Sequence, residues 1–263
     1  MTSHRPTLII TGASRGIGRS TTIIAIQKLG ANVVGVARSK ESLEKLSQHI
    51  EGELNLKDRF KFVVGDVTAE STSQEAVALA LKSWSGKLDG LVLNAGALEP
   101  IGKIATVPVE EWKKVFDVNV YASLITLQHA LPALRESKGR IVILSSGASF
   151  IPIHGWSAYC ASKAALKMFT DILALEEPEL TTMSIRPGVA DTDMAGITRE
   201  KGAEHMLPEQ FAMFSAEQTE KSLPVVHPDE PGHVVASLAI SAAASLNGKD
   251  LDYYDDELKT HRM

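Results

Sequence analysis

The residues best placed to do chemistry are Tyr159 and Lys163, in the run Tyr159-Cys160-Ala161-Ser162-Lys163. They stand four apart in a segment whose periodicity predicts a helix, so both side chains lie on one face, about a turn from each other. A free phenol titrates near about 10, too high to exchange a proton readily at neutral pH. A cation held close favours the phenolate, and bringing the phenol down to about 7 takes roughly 4 kcal/mol of differential interaction. Lys163 is expected to supply much of that, helped by the dipole at the helix start. The phenol then becomes a general acid for a carbonyl oxygen that receives hydride. Ser146, in Ser145-Ser146, is expected to hold that oxygen by a hydrogen bond. Asn119, in Asp117-Val118-Asn119-Val120, is expected to position a water that feeds protons to Lys163. A Y-x-x-x-K pair also arises by chance on solvent-facing helices, so its meaning depends on its company.

Thr11-Gly12-Ala13-Ser14-Arg15-Gly16-Ile17-Gly18 supplies that company. It follows the first strand candidate and opens the first helix candidate. Glycines there let the backbone turn sharply and approach a pyrophosphate, while the helix start offers free N–H groups and a positive dipole end. The spacing is G-x-x-x-G-x-G, a variant of the commonest dinucleotide fingerprint. The second strand candidate ends at Val36-Ala37-Arg38. An NAD-binding chain usually places a carboxylate there for the adenosine ribose. Arg38, together with Arg15, suits a 2′-phosphate instead, which reads as NADP(H). Asp66, in Gly65-Asp66-Val67, is a candidate acceptor for the adenine amino group or else an N-cap for the next helix. The run Gly12-Ala13-Ser14-Arg15-Gly16 also matches the G-x-S-x-G elbow of serine hydrolases. Only one strand precedes Ser14, however, and nothing in the sequence pairs it with His227 or His233.

The elements that must position these groups alternate along the chain. Strand candidates are 7–11, 32–37, 60–65, 90–94, 140–145, 183–186 and 249–253. Helix candidates lie at about 16–29, 40–50, 70–83, 109–135, 157–175 and 228–243. In the first helix the apolar residues Ile17, Ile23, Ile24 and Leu29 keep helical spacing. Near-continuous apolar strands separated by amphipathic helices predict an α/β fold: a single doubly wound (Rossmann) domain, 1–263, with a parallel sheet of about seven strands and helices on both faces. The stretch 188–227 shows no strand signal but carries Met194, Met206, Leu207, Phe211, Met213, Phe214 and Leu223, and is expected to form a substrate lid.

Composition narrows the function classes. The chain has 263 residues, 44% hydrophobic and 22% charged, and 27 basic against 32 acidic side chains leave a net charge of −5. That balance, without a long basic run, argues against duplex nucleic acid or an anionic membrane as partner. The single cysteine, Cys160, excludes an intrachain disulfide, and no apolar run reaches the ~20 residues of a membrane span. A cytoplasmic location is expected. No metal motif is present. His154 is expected to line a loop wall and Cys160 to act as a small packing residue.

Over essentially its full length the sequence resembles the short-chain dehydrogenase/reductase family. The resemblance rests on Thr11–Gly18, on Asn94-Ala95-Gly96, on Asn119, Ser146, Tyr159 and Lys163 in order, and on Pro187-Gly188. Leu93 departs from the family, which more often has Asn before Asn94. The resemblance implies catalysis by Asn119, Ser146, Tyr159 and Lys163. It also implies cofactor contacts from Gly12, Ser14, Arg15, Gly16, Ile17, Gly18, Arg38, Asp66, Val67, Asn94, Ala95, Gly96, Tyr159, Lys163, Pro187, Gly188, Val189 and Thr192. Asn94–Pro100, Ser145–Ser149, Gly155–Tyr159, Glu176-Glu177-Pro178 and Ser245–Gly248 resemble the benzil-reductase and sepiapterin-reductase-like branch, which implies NADPH-dependent reduction of aromatic or vicinal diketones. Family members commonly pair through the Tyr159 and Asn119 helices, so a homodimer or homotetramer is expected, with Ala161, Ala164 and Ala165 allowing close packing. Two other readings are an NADP-binding redox sensor without enzymatic activity and, remotely, a hydrolase at Ser14.

Overall fold

The structure is a computed structural model that describes residues 4–214 and 223–263. The part of the expected lid at 215–222 lies outside the described residues. Strand β1 (Thr7–Thr11) is followed by α1 (Gly16–Gln27), β2 (Asn32–Ala37), α2 (Lys40–Gln48), β3 (Phe60–Val64), α3 (Glu70–Lys82) and β4 (Gly90–Leu93). The second half runs α4 (Val109–Phe116), α5 (Ala122–Ser137), β5 (Arg140–Leu144), α6 (Ser157–Glu176), β6 (Thr181–Arg186) and β7 (Val189–Ala190). It ends with α7 (Asp193–Lys201), α8 (Pro208–Ala212), β8 (Val225–Val226), α9 (Asp229–Ser241) and β9 (Asp250–Asp252).

Seven strands form one parallel sheet in the order β3-β2-β1-β4-β5-β6-β9. The chain winds outward from β1 in both directions, so the loops after β1 and β4 part at the carboxyl edge and leave a crevice there. Alternation along the strands feeds two apolar layers. Leu8 and Ile10 of β1 join Ile24, Ala25, Val234 and Val235 of α1 and α9 on one face. Ile9 joins Ala76, Leu127, Leu134 and Leu166 of α3, α5 and α6 on the other. All five residues of β1 are buried, as a strand covered on both faces requires.

Two expectations change. The single helix over 109–135 is interrupted by a π-turn at Asp117–Tyr121, which separates α4 from α5. Wide turns of this kind break the regular ladder and concentrate at functional sites. The stretch after Gly188 also contains a strand pair, β7 with β8, each only two residues long. So short a ladder carries no periodic signature in sequence.

Candidate active site

Every parallel strand delivers its following loop to the same sheet edge, and the residues singled out in the sequence gather there. The glycine turn leaves β1 with Gly12 at φ +68°, and the N–H groups of Gly12 and Ala13 donate to the Val36 carbonyl at 2.8 and 3.2 Å. A Cβ on Gly18 would stand 2.3 Å from the Gly12 carbonyl oxygen and 2.5 Å from the Asn94 amide nitrogen. Only hydrogen fits there, which brings α1 hard against the turn. Asn94 locks the turn from β4: its Nδ2 donates to the carbonyls of Thr11 (2.8 Å) and Gly12 (3.2 Å). The Thr11 hydroxyl accepts from the N–H of Asn94 and of Ala95 at 3.0 and 3.1 Å. The α1 start has no side-chain cap and no acidic residue in its first turn, so its positive end stays open. This cradle fits a dinucleotide's phosphates.

The arginines are placed differently from one another. Arg15, at the helix start, donates to Asp193 at 2.8 Å, the first residue of α7, and both side chains are largely exposed. Arg38 stands exposed after β2, and its charge helps to draw Asp66 down. The main cause of that shift is the Thr68 N–H, which donates to Asp66 at 2.9 Å. The N-cap of α3 is Ala69, so Asp66 shapes the turn before the helix rather than capping it. Thr192 reaches the glycine turn from the far side: a Cβ on Gly16 would meet its Cγ2 at 3.1 Å.

Ser146 follows β5 and caps a short 3-10 turn, its Oγ accepting from the Ala148 N–H at 3.2 Å. Its hydroxyl lies near enough to the Tyr159 phenol to favour the phenolate. Tyr159 is 6% and Lys163 4% exposed, and the ammonium lies 5.6 Å from the phenol ring centre. Lys163 Nζ donates to the Leu144 carbonyl at 2.6 Å, which ties α6 to the end of β5. The electrostatics depart from the expectation that Lys163 draws the phenol down. Burial pushes Tyr159 up to about 12, against the pull of the Ser146 hydroxyl, and burial brings Lys163 down to about 8. Both groups have lost hydration, and that loss is the first cause of each shift.

Asn119 sits in the π-turn and is fully buried. Its Oδ1 accepts from the Ala97 N–H (2.7 Å), and its Nδ2 donates to the Ala97 carbonyl (3.0 Å) and the Ser162 hydroxyl (2.9 Å). Ser162 in turn donates to the Tyr159 carbonyl at 2.8 Å. The side chain expected to hold a water is therefore engaged as a brace between the loop after β4 and α6. Thr11 and Ser162 fall inside the motifs read from the sequence, but the bracing roles of their hydroxyls were not read there.

A third apolar cluster covers the phenol. It contains Leu98, Ala148, Trp156, Tyr159, Met206 and Phe214, with Met194, Phe211 and Met213 packed against it. Trp156 meets the Tyr159 ring edge-on at 5.5 Å and the Phe214 ring at 5.0 Å. His154 is a wall residue: its N–H donates to Gln210 at 2.8 Å and its Nδ1 lies 2.6 Å from the His205 carbonyl. The Cys160 thiol, raised by burial, lies 4.0 Å from the Ile151 carbonyl and packs against this cluster. Ser14 has no histidine beside it among the described residues. His227 pairs with Asp229, and His233 with the His261 carbonyl, so the hydrolase triad does not form. No cluster that could hold a metal ion occurs among the described residues, nor any helix long and apolar enough to cross a membrane.

A doubly wound sheet with a glycine cradle after β1 and a Ser-Tyr-Lys group after β5 defines a dinucleotide-dependent oxidoreductase class. The short chain dehydrogenase family model matches residues 6–203, and the chain belongs to the short-chain dehydrogenase/reductase family. It is 38% identical over 248 residues to an uncharacterized oxidoreductase of Schizosaccharomyces pombe, covering 94% of this chain and 95% of the relative. It is 38% identical over 262 residues to a benzil reductase ((S)-benzoin forming) of Saccharomyces cerevisiae, covering 95% and 97%. The crystal structure of a Saccharomyces cerevisiae short chain dehydrogenase/reductase superposes with a TM-score of 0.90 at 36% identity, covering 98% of this chain and 100% of that one.

Proposed function

We propose that this chain is an NADP(H)-dependent carbonyl reductase of apolar or aromatic ketones and vicinal diketones. The observation that carries the reading is the buried Ser146–Tyr159–Lys163 group beside the open glycine cradle, roofed by an apolar cluster. The residues that would hold the dinucleotide are the turn Gly12–Gly18 and the loop Asn94–Gly96. Pro187, Gly188, Val189 and Thr192 would hold it on the opposite side, Asp66 and Val67 at the adenine, and Arg15 and Arg38 at a 2′-phosphate. When bound, the nicotinamide supplies the hydride. Ser146 orients the substrate carbonyl oxygen, and Tyr159 hands it the phenolic proton. A phenol near about 12 stays protonated throughout the neutral range, which is the form that reduction uses. Lys163 steadies the phenolate left behind and would hold the nicotinamide ribose when the dinucleotide is bound. Asn119 keeps α6 and the loop after β4 in register. Residues 1–263 are read as one domain whose segment 188–227 is the substrate lid. Exposed Met168, Ile172 and Leu175 form an apolar stripe on α6, and Tyr121 and Leu124 stand exposed at the start of α5. We assign these surfaces to pairing with a second copy.

The test is cofactor consumption with aromatic diketones, pterins, quinones and simple ketones, run in parallel with NADPH and NADH. NADPH oxidation with a diketone is expected, and Arg38→Asp should weaken NADPH far more than NADH. Equal losses would sink the 2′-phosphate assignment. Tight cofactor binding without turnover of any carbonyl would favour a redox sensor.

A further inference from the structure

Arg15 stands at a fork. It is the N-cap residue of α1, in the glycine turn after β1. In the sheet order β2 lies on one side of β1, and β4, β5 and β6 on the other. Arg38, which follows β2, is therefore on one flank of the turn, and the lid, which follows β6, is on the other. Arg15 is turned to the lid: its Nη1 donates to Asp193 Oδ2 at 2.8 Å. Asp193 is the first residue of α7 and the acidic residue of that helix's first turn, while the first turn of α1 has none. Thr192, just before it, sets the α7 start against the α1 start, its Cγ2 3.1 Å from where a Gly16 Cβ would stand. Two helix starts, each a positive dipole end, thus meet beside a guanidinium, and the Asp193 carboxylate answers them.

We propose that Asp193 is a cofactor-specificity residue: its carboxylate holds Arg15 in the place of a 2′-phosphate, and NADP(H) must take the guanidinium from it. The inference rests on the reading of Arg15 and Arg38 as 2′-phosphate ligands. A phosphate monoester carries up to about two charges and more acceptor oxygens than a carboxylate, so it is the stronger partner for a guanidinium. The exchange costs little as well. The two side chains are 67% and 66% exposed, and an ion pair so open to water contributes only a factor of a few to an equilibrium. That is enough to turn Arg15 toward the lid and too little to keep it from a phosphate. Once Arg15 swings to the Arg38 side, the first turn of α7 loses its tie to the glycine turn. Lys201 still anchors the other end of the helix to Glu99, at 2.6 Å. A dinucleotide without the 2′-phosphate gives Arg15 no second partner and leaves the pair as it is.

The experiment measures calorimetric dissociation constants of NADP+ and NAD+, which need no turnover and so stand apart from the choice of carbonyl substrate. Asp193→Asn removes the competing charge and should tighten NADP+ by about two- to fivefold, with NAD+ changed by less than about 1.5-fold. The NADP+ gain should shrink toward nothing in ~1 M salt, where exposed charges are screened. Placed on Arg15→Gln, Asp193→Asn should no longer tighten NADP+. Should Asp193→Asn fail to fold, Asp193→Ser makes the same comparison. An unchanged or weaker NADP+ constant, an equal gain for NAD+, or a gain that survives salt or Arg15→Gln would overturn the proposal. The reading beneath it fails separately: Arg15→Gln alone then weakens NADP+ and NAD+ by the same factor, whatever Asp193→Asn does.

Discussion

At the residue scale, the tyrosine's surroundings decide which direction of chemistry it suits. Its phenol is buried and pushed up to about 12 by lost hydration, so it is protonated at neutral pH, the form a proton donor needs. Tyr159→Phe should lower the reduction rate by about 10²–10⁴-fold while NADPH affinity stays nearly unchanged. Single-turnover kinetics and fluorescence titration read the two separately, and retained turnover would refute the role given to Tyr159. The types and order of Ser146, Tyr159 and Lys163 were legible in the sequence because a four-residue spacing on a helix fixes a shared face. Their protonation was not, because spacing says nothing about lost hydration.

At the element scale, the loop after β4 and helix α6 are joined through one side chain. Asn119→Ala would strand the Ala97 N–H and carbonyl, both paired only through that side chain in the bonds described above. The expected loss is roughly 2–4 kcal/mol, a fall in Tm on the order of 5–10 °C. Scanning calorimetry reads it, and an unchanged Tm would show that the brace carries no weight. The strand–helix alternation and the parallel sheet followed from hydrophobic runs, since a strand covered on both faces must be apolar throughout. The π-turn at Asp117–Tyr121 did not, because one widened turn leaves the apolar pattern of 109–135 almost unchanged. The β7–β8 pair was beyond reach for the opposite reason: two residues per strand contain no period to read.

At the scale of the whole molecule, the exposed stripe on α6 calls for a partner. Leu175 is 77% exposed and Met168 58%, an apolar surface usually found covered. Ile172→Glu with Leu175→Glu should shift the chain to monomers in light scattering, and an unaltered mass would remove that stripe from the interface. Helix α6 has 20 residues and bears Trp156 at its start, Tyr159 and Lys163 within, and that stripe on its outer surface. Under the proposed pairing, reaction geometry and self-association would share this one helix. Protein concentration would then enter the rate per subunit, and specific activity should drop on dilution, which an activity-against-concentration series reads.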